Sequence, residues 1–167
     1  MKQVKNAVLF IIGDGPLKIS FENYITENNL QEKIILLGAI SDKKIKNNYI
    51  QASDIFILSS IRKSESFGIV QLEAMRYGKP IINTNLGTGV NYVSINNETG
   101  LTVEPKNSTA LASAIKTLLE DDTLRAKLGQ NARKRVEELF DIDKVKEKYE
   151  NLYIEISSLY RKNKNAI

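Results

Sequence analysis

The sequence predicts an α/β domain: a doubly wound parallel sheet with helices on both faces and a long C-terminal helix. Three observations predict it. Short, continuously apolar runs recur along the first two thirds of the chain, the pattern of strands covered on both faces. Helical patterns separate these runs, and glycines close them. The last third reads as helix throughout, interrupted only near Asp121-Asp122 and Asp141.

Val8 to Ile12 is the first predicted strand, buried on both faces and running into the turn Gly13-Asp14-Gly15-Pro16. Leu17 to Asn28 follows as a helix, with Leu17, Phe21, Tyr24 and Ile25 as its apolar positions. Ile34 to Leu37 is the second strand, closed by Gly38, and Ser41 and Asp42 offer caps for a helix to Ala52. Ile55 to Leu58 is the third strand. The stretch Glu65 to Tyr77 opens as a glycine-bearing loop and continues as a helix stopped by Gly78 and Pro80. Ile81-Ile82 and Leu101 to Val103 complete the strands. In the final helix, Val145, Tyr149, Leu152, Tyr153, Ile156, Leu159 and Tyr160 recur at three-and-four spacing, which predicts a packed core face.

A length of 167 residues suits one domain, 1–167, and no linker or internal repeat divides it. Cysteine and histidine are both absent, which excludes disulfides, thiolate nucleophiles, imidazole bases and histidine-built metal sites. Chemistry then falls to carboxylates, cations, hydroxyls and backbone dipoles. Of the net charge of +4, residues 144–167 supply +3, from six cations against three acids. A solvated helix end accounts for that tail, and peripheral contact with acidic lipid at the inner face of a membrane is its functional counterpart. No apolar run approaches the about 18 residues of a membrane helix, so a cytoplasmic protein is expected, with no nucleic-acid partner.

Two loops lie where a doubly wound sheet binds ligands, at the carboxyl ends of strands. Gly13 and Gly15 permit close backbone approach to a ligand, although strand-to-helix turns use glycine anyway. The segment Arg62 to Met75 (RKSESFGIVQLEAM) is more specific. With a helix starting near Gly68, the N–H groups of Gly68, Ile69 and Val70 are free and form an anion cradle suited to a diphosphate. Glu65 at the loop lip can accept hydrogen bonds from sugar hydroxyls, and Glu73 inside the helix can take a ribose diol. From the residues alone, the two glutamates equally fit an acid favouring a helix dipole and an ordinary surface acid.

The run ESFGIVQLEAMRYGKPIINTN, with IIGDGP, ASDIFILSS and ETGLTVEP in order around it, resembles the retaining glycosyltransferases of the two-Rossmann-domain (GT-B) type. The resemblance is to family 4, or group 1, with the polysaccharide and lipopolysaccharide transferases nearest. It covers about residues 6 to 140. It implies a C-terminal, nucleotide-sugar-binding domain that takes a hexose from a GDP- or UDP-linked donor to a glycan or lipid-linked acceptor, with no cofactor and no metal. On the same basis Glu65 contacts the donor sugar as the catalytic position and Glu73 the ribose. The N–H groups of Phe67, Gly68, Ile69 and Val70 hold diphosphate and sugar, and the backbone at Ala39 and Ile40 lies along the base.

Two departures accompany the resemblance. Such domains open with a strand, a Gly-Arg turn and a Lys-Gly pair whose cations neutralise the diphosphate; here residues 1–7 look like the end of that helix. The first strand–helix unit and the N-terminal acceptor domain are therefore expected to be missing, and this chain alone to be inactive. In the usual strand order, 3-2-1-4-5-6, the lost strand is central. Its loss leaves two sheet pieces with unpaired edges, which invites a partner strand or self-association. The alternative is a truncated domain that binds nucleotide sugar, or nothing, without turnover. A dinucleotide oxidoreductase is disfavoured because the second strand ends in Leu37-Gly38 rather than an acid. An epimerase of similar architecture is disfavoured by the missing histidine.

Overall fold

The computed structural model describes residues 1, 2, 4 and 6–164, with side chains up to residue 160. The elements are β1 (Leu9–Ile12), α1 (Lys18–Glu27), β2 (Ile34–Gly38), α2 (Lys43–Ala52), β3 (Phe56–Leu58), α3 (Ile69–Arg76), β4 (Ile81–Thr84), α4 (Gly89–Val93), β5 (Gly100–Val103), α5 (Ser108–Glu120), α6 (Asp122–Leu139) and α7 (Ile142–Lys164). Helix starts fall at residues able to accept a backbone N–H: Asp42 from Lys44 and Ile45, Asn107 from Ala110, and Asp121 from Leu124.

All ladders between strands are parallel, as expected, but they form two sheets: β1–β2 and β3–β4–β5. No ladder joins β1 to β3 among the described residues. β1 and β3 each pair on one edge only among the described residues. The described part of residues 1–7 is not helical; Val4 donates to Met1 O at 3.1 Å in a single turn.

The core is built on β4. Ile81 and Ile82 point to opposite faces and both are 0% exposed. Ile81 packs with Ala74, Met75, Val93, Ala132, Val136 and Ile50, and Ile82 with Ala114, Leu118 and Leu128. Gly129 of α6 lies directly on the backbone of Gly78, so close that any side chain there would overlap it. This contact seats α6 against the turn that ends α3.

Two expectations fail, the burial of β1 and of the α7 stripe, and α1 is largely uncovered as well. β1 is not buried on both faces: Leu9 and Ile11 are half-buried while Val8, Phe10 and Ile12 are exposed. On α1 only Ile25 is buried, with Leu17, Phe21 and Tyr24 exposed. A two-stranded sheet, unpaired along both edges, offers too little surface to cover both. The stripe on α7 is not packed core either: Tyr149, Leu152, Tyr153, Ile156, Leu159 and Tyr160 are all exposed, and Val145 is half-buried. α7 leaves the body after Asp141 and packs against α6 at its start, so its amphipathic pattern finds no partner among the described residues. The basic tail from residue 161 onward lies outside the described side chains. No helix among the described residues is long and apolar enough to cross a membrane.

Candidate functional site

The loop after β3 folds back on itself through Glu65 N–H donating to Arg62 O at 3.1 Å, then reaches Gly68. Gly68 sits at φ 68° and ψ 54°, in the left-handed region. A Cβ there would stand 2.7 Å from Leu58 Cδ2 and 2.8 Å from Gln71 Nε2, so glycine is required for space as well as conformation. Gln71 N–H donates to Gly68 O at 2.9 Å and starts α3. The N–H groups of Phe67, Gly68, Ile69 and Val70 take no partner among the described residues, and Ile69 and Val70 are exposed. The helix start expected from the sequence is therefore present, with Gly68 buried, Ile69 and Val70 exposed, and its four N–H groups unpartnered among the described residues.

A buried polar network fixes this loop from below. Gln71, fully buried, donates to Val90 O at 3.2 Å and accepts from Asn83 Nδ2 at 3.0 Å. Asn83 also donates to Ser94 O at 3.2 Å and accepts from Thr102 Oγ1 at 2.7 Å. Because each buried polar atom here has a partner, displacing α3 would break several bonds together. Phe67 packs edge-on against Phe140, whose ring also meets Tyr92.

Glu65 is half-buried at the loop lip. Ser60 Oγ approaches its carboxylate at 3.5 Å, a marginal contact, and Thr88 Oγ1 donates to its backbone oxygen at 3.0 Å. Its carboxylate is thus held but not consumed. Glu73 lies inside α3, as expected, and is ion-paired. Lys46 Nζ lies 2.9 Å from each carboxylate oxygen and donates to Oε1. Oε2, within ion-pair distance, is buried and has no hydrogen bond aimed at it.

At the end of the other sheet, Gly13 N–H donates to Gly38 O at 2.8 Å, and Gly13 takes φ 139°, open to glycine. Gly15 N–H donates to Asp14 Oδ1 at 2.8 Å. Gly13, Gly15 and Ala39 are exposed and Ile40 half-buried, and the parallel pairing of Ile12 with Gly38 brings the two strand ends side by side as one rim. No hydrogen bond among the described residues joins that rim to residues 65–70. The two sheets communicate through Lys46 of α2, which follows the rim, and Glu73 of α3. A depression elsewhere, lined by Lys146, Tyr149, Glu150, Tyr153 and Ile154, is the open flank of α7 and has no opposing wall.

Residues 1–135 match the family model described as glycosyl transferases group 1. The chain belongs to this family. Among curated relatives it is 30% identical to the O-antigen chain mannosyltransferase C of Escherichia coli, over 86% of this chain and 38% of that one. It is 35% identical to the D-rhamnosyltransferase WbpZ of Pseudomonas aeruginosa, over 78% of this chain and 34% of that one. The chain thus spans less than two fifths of these glycosyltransferases. Among solved structures, sucrose-phosphate synthase from Thermosynechococcus elongatus superposes with a TM-score of 0.81 at 30% identity, over 94% of this chain and 40% of that one. The C-terminal domain of a group 1 glycosyltransferase (LpcC) from Francisella tularensis gives 0.74 at 29% identity, over 84% of this chain and 73% of that one. Anabaena HepE in complex with UDP-glucose gives 0.79 at 25% identity, over 90% and 42%. The fold is that of a GT-B glycosyltransferase, consistent with its C-terminal domain.

Sequence reasoning missed Lys46, Ser60, Thr88 and Gly89, which touch the loop–helix unit of residues 65–76, and α4 with them. α4 had a signal: Thr88 caps it, accepting from Val90 N–H at 3.4 Å, and Val90 and Val93 form its buried face. Gly89 lets α4 press on the loop, since a Cβ there would meet Phe67 Cδ2 and Ser66 O, each at 2.7 Å.

Proposed function

We propose that this chain is the donor-binding part of a retaining glycosyltransferase that moves a hexose from a GDP- or UDP-linked sugar to a glycan or lipid-linked acceptor in polysaccharide or lipopolysaccharide synthesis. One observation carries the reading: four unpartnered N–H groups at the start of α3, flanked by Glu65 at the lip and Glu73 within the helix. Departure of the nucleoside diphosphate places negative charge on phosphate oxygens, and aligned N–H groups at a helix start stabilise that charge. Glu65 holds the donor sugar through its hydroxyls and faces the positive charge that develops as the bond to phosphate breaks. Glu73 takes the ribose diol, Gly13 and Gly15 admit the phosphates, and Ala39 and Ile40 line the base. HepE, solved with UDP-glucose, supports a nucleotide sugar as ligand. The mannosyl- and rhamnosyltransferase relatives support the reaction class and its setting.

The acceptor side belongs to a domain outside this chain, and the protein works in the cytoplasm, peripheral to the inner membrane face. Calorimetric titration with GDP, UDP and their sugars, with and without EDTA, tests the reading. Weak, EDTA-insensitive nucleotide binding is expected. Glu73→Ala weakens every ligand, while Glu65→Ala spares plain nucleotide and weakens only the nucleotide sugar. The reverse pattern, or tight binding abolished by EDTA, overturns the assignment. No sugar transfer is expected from the chain alone, because an open face cannot hold donor and acceptor in attack geometry.

A further inference from the structure

Lys46 is not part of the segment that carries the proposed site. It lies 27 positions earlier, in the first turns of α2, yet its ammonium reaches Glu73 at 2.9 Å from both carboxylate oxygens. Both side chains are partly exposed, at 28% and 27%, so as a stabilising ion pair the contact contributes little. Its effect is on geometry. A glutamate on an exposed helix face samples several rotamers, and a carboxylate takes a diol side by side only when both oxygens face it. Bonding one oxygen and crowding the other, Lys46 restricts the plane of the carboxylate. Oε2 has no hydrogen bond directed at it and no exposed surface, an unsatisfied acceptor held ready within the pair.

We propose that Lys46 is a positioning residue for nucleotide recognition: it aims Glu73 so that the protein selects ribonucleotides over 2′-deoxyribonucleotides. This rests on the reading of Glu73 as the ribose-binding group. An ammonium has three donors, and one is used on Oε1. The carboxylate has about four lone-pair positions, so the diol can join while Lys46 keeps its bond to Oε1, once a side-chain rotation has uncovered Oε2. Lys46 also ties α2, beside the rim of Ala39 and Ile40, to α3, which bears the anion cradle. The base and diphosphate contacts of the proposed site are thereby kept at a set distance across the unpaired gap between the sheets.

The test compares UDP with 2′-deoxy-UDP, and GDP with 2′-deoxy-GDP, by calorimetry on the 167-residue chain and its variants. The unmodified chain should prefer the ribonucleotide by about tenfold or more, the discrimination expected for a hydrogen bond to a charged group. Lys46→Met should reduce that ratio to roughly threefold or less, and Lys46→Arg should retain most of it. A general loss of structure would lower both affinities together and leave the ratio alone. If Lys46→Met keeps the ratio while Glu73→Ala abolishes it, the positioning role of Lys46 is wrong and the ribose reading stands. If Glu73→Ala also keeps the ratio, or neither nucleotide binds, the ribose reading fails and the role of Lys46 fails with it.

Discussion

Gly68→Ala is the most direct perturbation of the loop that carries the anion cradle. Alanine at φ 68° and ψ 54° adopts a left-handed conformation, at about 1–2 kcal/mol. The added Cβ, 2.7 Å from Leu58 Cδ2 and 2.8 Å from Gln71 Nε2, must also push both of them aside. Leu58, half-buried at the end of β3, offers the far end of a flexible side chain. Gln71 is fully buried and gives up its bond to Val90 O if it moves, at a further about 1 kcal/mol. A total of about 2–3 kcal/mol lowers the melting temperature of a chain this size by roughly 4–12 °C. Thermal unfolding followed by circular dichroism measures it, with nucleotide titration in parallel, where affinity falls because the N–H groups no longer converge. A melting temperature within about 2 °C of the unmodified chain would refute the reasoning, since it would mean that the loop neither strains nor crowds this position.

Gly129→Ala should be worse than Gly68→Ala, because its Cβ meets the rigid backbone of Gly78 rather than a side-chain tip, and the same melting experiment ranks the two. Asn83→Ala leaves Gln71 Oε1 and Ser94 O short of a buried donor and should cost at least about 2 kcal/mol in a denaturant titration. Leu152→Ser and Ile156→Ser, on the exposed face of α7, should change stability by no more than about 0.5 kcal/mol; a large drop would place that face against a partner. The unpaired edges of β1 and β3 should make association rise with concentration in sedimentation, and a monomer at every dilution would contradict that expectation.

Local pattern in the sequence determined the α/β class, the order of its strands and longer helices, and the start of α3 at Gly68. Each of these depends on residues adjacent along the chain: an apolar run, a capping Asp42, Asn107 or Asp121, or a glycine able to take a positive φ. The pairing of Glu65 and Glu73 on one loop-helix unit was legible for the same reason, since eight positions separate them. The Lys46–Glu73 contact was not, because it joins helices 27 positions apart and nothing in either segment names the other. Nor could periodicity tell whether the apolar stripes of β1, α1 and α7 are buried. Periodicity reports which face of an element is apolar, whereas burial depends on what lies opposite that face. For β4 the opposing helices α3, α5 and α6 are part of this chain and the strand is sealed on both sides. Among the described residues β1 is covered only in part, with Phe10 against Tyr49 and Leu9 and Ile11 half-buried, and the stripe of α7 beyond Val145 is uncovered. Only the tertiary structure could decide that.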